Sequence, residues 1–218
     1  MISFLVPILL APQPIRVACV GDSITFGFAL PEATRARASY PGVLGFRLGG
    51  GYVVKNFGSS GCTVMNLDWL PPLIKTPPYK ASLAFKPDIV IIMGGTNDGH
   101  PRNWAHANQF ERDLKTITHS YLKMPSHPQV ILVTPPRICT KKEKGVIDDD
   151  QCNNVNQGLP PIMRNFARTN ALLLIDSRTS INSRDCYTVD GIHLSEKGSM
   201  KLANQIANSI LKKQTIKK

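Results

Sequence analysis

Five short apolar runs restrict what this chain can fold into more than any other feature: Ile15–Val20, Tyr52–Phe57, Asp88–Met93, Gln129–Val133 and Ala171–Ile175. Most are continuous rather than alternating, which suits strands covered on both faces, as in a parallel sheet. Segments with helical spacing lie between them. Tyr40–Leu48 runs into the glycine stop Gly49–Gly51. Across 103–122, Trp104, Ala107, Phe110, Leu114, Ile117 and Tyr121 recur at intervals that predict one amphipathic helix. Residues 154–169 form a weaker helical pattern, interrupted by Pro160 and Pro161, and 195–211 opens on half a capping box, with Ser195 but Gly198 where Glu would stand. Strands alternating with helices predict βαβ units, hence a three-layer α/β/α sandwich on a five-stranded parallel sheet, flavodoxin-like in outline.

The organised part is expected over 15–212, followed by a basic tail at 213–218. The segment 1–14, "MISFLVPILLAPQP", has an apolar centre and a small residue at Ala11 but no basic n-region. It reads equally as a short export signal, with an extracytoplasmic protein, or as a surface segment of a cytoplasmic one. No window of eighteen apolar residues exists, so no membrane span is predicted. The net charge of +11 gathers in "TRARAS", "KKEKG" and "KKQTIKK", which can attract polyanions. No zinc-finger spacing, RNP-type motif or dominant basic helix accompanies the charge, so nucleic acid is not an expected partner. The five cysteines show no CxxC and no metal-ligand spacing. Cys19 fits a core position. Cys139 and Cys152 flank a polar loop and could pair in an exported protein.

Chemistry is expected beyond the carboxyl ends of the strands, where open parallel sheets bind ligands. Four polar, glycine-bearing segments fall there: "GDSIT" after the first run, "NFGSSGCT" after the second, "GGTND" after the third, and "DGIHLS" before the last helix. Ser23 alone reads as a helix cap. His193 three residues after Asp190 changes that reading: the carboxylate could orient Nδ1–H, leaving Nε2 to take a proton from a serine hydroxyl. The Ser23 N–H, the Gly61 N–H and the Asn97 side-chain amide are candidate donors to an oxyanion. Taken one at a time, turn punctuation explains Gly58 and Gly61, and an Asx-turn explains Asn97.

The four blocks, in this order from residue 21 to 194, resemble those of the SGNH (GDSL) hydrolase family. The resemblance implies the SGNH fold and Ser23 as nucleophile and first oxyanion donor. It also implies Gly61 and Asn97 as the second and third donors, and Asp190 with His193 as the acid–base pair. Asn56, Gly58 and Gly61 fill the family's N-x-G-x-x-G, but Cys62 stands where Asp is frequent. No G-x-S-x-G elbow is present. The implied reaction is carboxylic ester hydrolysis through an acyl-enzyme, with no metal or organic cofactor. The implied partner is a small-molecule or glycan ester.

"GGTNDGHPRNW" and "SYPGVL" are similar to members that remove O-acetyl groups from carbohydrates, including sialate- and xylan-type acetylesterases. Asp22, His100, Arg102 and Trp104 are then candidate substrate contacts. Asp22 and Thr25 are otherwise expected to brace the turn, and Trp69, Tyr79 and Trp104 offer sugar-stacking faces unless they are core. A lysophospholipase, thioesterase or arylesterase on the same residues is the alternative. Outside that class stand a polyanion-binding protein with an inactive hydrolase fold and a flavodoxin-like nucleotide binder, the latter without any dinucleotide or Walker-type glycine loop to support it.

Overall fold

A computed structural model describes residues 13–138 and 149–215, with side chains through 213. Residues 1–12 of the 1–14 segment read either as a signal or as a surface segment, the end of the basic tail, and the pairing of Cys139 with Cys152 lie outside the described residues. Five parallel strands form one sheet: β1 (Ile15–Gly21), β2 (Tyr52–Gly58), β3 (Ile89–Met93), β4 (Gln129–Val133) and β5 (Leu173–Ile175), in the order β2-β1-β3-β4-β5. The chain order reverses between β1 and β3, so a crevice opens at that point above the strands' carboxyl ends.

Side chains along each strand alternate between two cores. Val17, Cys19, Ile91, Met93, Ile131 and Val133 face one layer, which is closed by α3 (Tyr40–Leu48) and α9 (Glu196–Thr215). Ala18, Val20, Val90, Ile92, Val130 and Leu132 face the other. That layer is closed by α4 (Pro77–Ala84), α6 (Phe110–Leu122) and α8 (Leu159–Thr169). Apolar residues on both faces are why the runs are continuous.

The shorter helices serve the connections. α1 (Ser23–Phe26) follows β1 directly, and α2 (Glu32–Ala38) takes up the arginines of "TRARAS". The single helix expected over 103–122 is broken into α5 (Pro101–Trp104), a 3₁₀ turn at Ala107–Gln109 and α6. Its amino-terminal part is pinned against a different element: the Trp104 ring lies where a Cβ on Gly158 would sit, 2.3 Å from that position. The 154–169 pattern is one continuous helical path in three parts. α7 (Asp149–Asn153) passes into a π-helical turn at Asn154–Gly158 and then into α8. Pro160 and Pro161 have no N–H to return to Asn156 and Gln157, so the turn before them widens while they occupy the tolerated first turn of α8. The proline-rich stretch "LDWLPPLIKTPPYK" holds α4, with Thr76 capping the Tyr79 N–H and Pro77–Pro78 in the first turn.

Candidate functional site

Register sets the height of the site. Gly21 pairs with Gly58 on one side and with Met93 on the other, so β1, β2 and β3 deliver their loops to one rim. At β1 the chain turns sharply into α1. Asp22 is the N-cap, its Oδ1 accepting from the Ile24 N–H at 2.9 Å. A cap of this kind contributes about 1 kcal/mol. Ser23 is then the first helical residue, and its N–H has no acceptor inside the helix. β2 approaches α1 closely enough that a Cβ on Gly58 would lie 2.1 Å from the Phe26 nitrogen. Asn56 fastens the approach: its Nδ2 donates to the Thr25 carbonyl at 2.8 Å, and its Oδ1 accepts from the Gly58 N–H at 2.9 Å.

The loop after β2 carries Gly61 in the left-handed region, at φ +78°, where glycine avoids the strain another residue would meet. Among the described residues its N–H donates to no partner. The loop is held from β3's side. Asp98 is buried, and its two carboxylate oxygens accept from the Val64 N–H at 2.9 Å and the Met65 N–H at 2.7 Å. Burial pushes the Asp98 carboxyl up to about 7 against those two hydrogen bonds. Asn97 next to it donates from Nδ2 to the Cys62 carbonyl at 2.8 Å. An amide nitrogen has two hydrogens, so the second remains available to another acceptor. Cys62, where the family pattern often has Asp, serves through its backbone carbonyl, and its Sγ lies 3.6 Å from the Gly21 carbonyl it donates to.

The loop before α9 carries Asp190 and His193. A single antiparallel bridge joins Tyr187 to Leu194, with Thr188 N–H to His193 O at 2.8 Å and Ser195 N–H to Cys186 O at 2.9 Å. Inside this clasp Asp190 Oδ1 accepts from the Ile192 N–H (2.9 Å), the His193 N–H (3.0 Å) and the Thr188 hydroxyl (2.8 Å). Its Oδ2 faces His193 Nδ1 at 2.7 Å. Partial burial pushes the Asp190 carboxyl up, but the hydrogen bonds from His193, Ile192 and Thr188 outweigh it and hold it at about 2. An ionised Asp190 only accepts, so Nδ1 carries the proton and Nε2 is left as acceptor. Nε2 lies 2.9 Å from Ser23 Oγ. The Phe28 ring, half exposed, leans on the His193 ring with centroids 4.7 Å apart.

Alcohol, imidazole and carboxylate in hydrogen-bonded series, beside a glycine N–H and an asparagine amide, have the layout of a serine hydrolase centre. Among the described residues no His, Cys, Asp and Glu side chains gather into a metal-binding group. The chain belongs to the GDSL-like lipase/acylhydrolase family, whose model matches residues 19–201. It is 36% identical over 214 residues to an acetylxylan esterase from Xylanibacter ruminicola, the match covering 90% of this chain and 43% of that protein. The chain thus spans less than half the length of that relative. The fold is similar to that of the M. smegmatis aryl esterase, at 22% identity and TM-score 0.70, over 91% of this chain and 99% of that one. A carbohydrate acetylesterase family member from Sinorhizobium meliloti aligns at 19% identity and TM-score 0.73, over 90% and 97%. The five-stranded parallel sheet with flanking helices agrees with these structures.

The candidate substrate contacts separate. His100 caps α5, accepting from the Arg102 N–H at 3.2 Å, and its ring lies against Trp69 with centroids 4.3 Å apart. The Arg102 guanidinium stands 5.3 Å from the same indole. The three form one partly exposed cluster tied to Asn97, since the His100 N–H donates to the Asn97 carbonyl at 3.3 Å. Trp104 packs on the π-helical turn. Tyr79 does not offer a stacking face: it is 2% exposed, and its hydroxyl is bonded to Ser120 Oγ at 2.6 Å. Asp22 is buried, and burial pushes its carboxyl up, so it braces the turn rather than meeting solvent. Thr25 does the same through Tyr40, at 3.2 Å. Sequence reasoning missed Asp98, Thr188 and Phe28. Asp98 lies within the quoted "GGTND", and Thr188 stands two residues before Asp190 as a hydroxyl partner should, whereas nothing local marks Phe28.

Proposed function

We propose that the chain is a serine esterase in which Ser23 is the nucleophile, His193 the general base and acid, and Asp190 the orienting carboxylate. The observation that carries this reading is the unbroken series Ser23 Oγ, His193 Nε2, His193 Nδ1, Asp190 Oδ2, at 2.9 and 2.7 Å. His193 Nε2 takes the Ser23 proton as Oγ attacks the ester carbonyl. The tetrahedral oxyanion is met by the Ser23 N–H, the Gly61 N–H and the second Asn97 Nδ2 hydrogen. The imidazolium, stabilised by Asp190, returns its proton to the leaving alcohol. Water then enters by the same path, losing a proton to His193 as it attacks the acyl-enzyme, and Ser23 leaves protonated.

The substrate we propose is an O-acetylated carbohydrate. The acetylxylan esterase relative supports it, and so does the Trp69–His100–Arg102 cluster beside Asn97, where an indole face and a guanidinium could meet a sugar ring. The test compares acetyl, butyryl and octanoyl aryl esters, then acetylated xylan and acetylated sialic acid, with Ser23→Ala as the control. Acetyl preference, release of acetate from a glycan and no turnover by Ser23→Ala are expected. Octanoyl preference would favour the lipase or thioesterase alternative.

A further inference from the structure

At the carboxyl ends of β4 and β5, on the same rim as Ser23 and Asn97, lies a cavity of about 270 Å³ lined by Arg137, Arg178 and Arg184 together with Ile181 and Tyr187. Of the residues described for the candidate site, Tyr187, in the clasp around Asp190 and His193, lines it, and neither Ser23, Asn97, Asp190 nor His193 does. Three strand spacings separate β1 from β5 in the sheet order, roughly 14 Å along the rim. That is farther than one sugar ring reaches from a scissile acetyl group.

The three arginines differ in how their charge is met. Arg178 is neutralised by Asp176 in a two-pronged pair, Nε to Oδ1 at 2.7 Å and Nη2 to Oδ2 at 2.6 Å. Arg184 reaches only neutral acceptors: Nη1 donates to the carbonyls of Thr188 at 2.7 Å and Tyr187 at 3.3 Å, and Nη2 to that of Val189 at 3.4 Å. Its Nε is buried with no partner among the described residues. Arg137 is exposed and, among the described residues, has no ion-pair partner. Its charge nonetheless reaches the Tyr187 hydroxyl across the cavity. The nearby Asp185 is bound to Lys197. Among the described residues, then, two positive charges without carboxylate partners line one small cavity, those of Arg137 and Arg184. The exposed Arg137 guanidinium, a planar donor fork with no carboxylate partner among the described residues, fits a carboxylate, and the Arg184 charge behind it adds to the attraction.

We propose that this cavity is an anion subsite that receives the carboxylate of an acidic sugar carried on the same glycan as the acetyl ester. The proposal rests on the carbohydrate reading given above and names the substrate class within it. Arg184 also grips the backbone just before Asp190, and Thr188 links that backbone to the Asp190 carboxylate. Occupancy of the cavity therefore bears on the loop that carries His193.

The test compares kcat/KM for two acetylated xylo-oligosaccharides, one neutral and one carrying a glucuronic acid branch, in the wild type and in Arg137→Gln. The ratio of the two substrates cancels any general loss of activity in the variant. The wild type is expected to favour the acidic substrate by about tenfold, the worth of one charge-assisted contact. That ratio should shrink towards one in Arg137→Gln and at high salt. Equal kcat/KM for both substrates in the wild type would overturn the subsite and leave the carbohydrate reading standing. If neither oligosaccharide is turned over while an aryl acetate is, the carbohydrate reading fails. Calorimetric titration of the wild type with free glucuronate then decides the subsite by itself, binding that is lost in Arg137→Gln sustaining it and absence of binding refuting it. Inorganic sulfate binding as tightly as glucuronate would mark a site for free anions and refute the sugar assignment.

Discussion

Replacing Asp190 by Asn tests how the carboxylate works, because the surrounding donors dictate which way the new amide turns. Oδ1 accepts from two backbone N–H groups and the Thr188 hydroxyl, so the carbonyl oxygen of Asn must take that position. Its NH₂ then faces His193 Nδ1, which can only respond as an acceptor. The ring proton moves to Nε2, and Nε2–H cannot remove a proton from Ser23. The expected loss in kcat is roughly 10³–10⁴-fold, about 4–5.5 kcal/mol of transition-state stabilisation. The fold should suffer little. Asp190 is held at about 2 against an ordinary 3.8, which corresponds to at most about 2.5 kcal/mol, and its side chain is a quarter exposed, so screening brings this to roughly 1–2 kcal/mol. For a lowered carboxyl that contribution is present above the ordinary value and lost as pH falls towards 2. Urea denaturation should therefore separate wild type and variant at pH 7, with the difference fading in acid. Initial rates on p-nitrophenyl acetate provide the kinetic arm. A variant within tenfold of wild-type kcat at pH 7, properly folded, would refute this account of the carboxylate.

Other expectations follow from the same geometry. Asn97→Ala should lower kcat by roughly 10²–10³-fold with little change in KM, because in the proposed mechanism its donor acts on the oxyanion and not on the bound ester; steady-state kinetics on the aryl acetate checks it. Gly58→Ala should lose roughly 2 kcal/mol or more in chemical denaturation, since the new methyl would stand 2.1 Å from the Phe26 nitrogen, which cannot yield without moving α1. Asp98 is raised to about 7 from an ordinary 3.8, so the folded state holds its proton more tightly than the unfolded chain. Its contribution is complete below about pH 4 and lost as pH rises to 7. Denaturation curves at pH 5 and pH 8 should show that decline in the wild type, and a smaller one in Asp98→Asn.

The sheet was legible because both its faces are covered: continuous apolar runs betray buried parallel strands, and the two cores drawn from Val17/Cys19 and Ala18/Val20 are that pattern in space. Ser23, Asn97, Asp190 and His193 were legible as residue types because each stands at a strand end or before a helix, where side chains are free for chemistry. The helix α4 was hidden by prolines that read as loop, although Thr76 and two prolines in a first turn are helix-start chemistry. The break before α6 was illegible because Trp104 answers to Gly158, a contact no local pattern records. Tyr79 looked like a surface aromatic in a polar loop and is core, because its hydroxyl finds Ser120 on α6. Phe28 against His193 and Arg184 on the Asp190 loop are likewise products of tertiary folding.

The central claim is that the Ser23 hydroxyl is the group His193 activates. Incubation with a fluorophosphonate, followed by peptide mass spectrometry, tests it most directly. One adduct per chain on Ser23, formed at a rate that collapses in His193→Ala, is the predicted result. Labelling at another residue, or activity surviving full modification of Ser23, would contradict it.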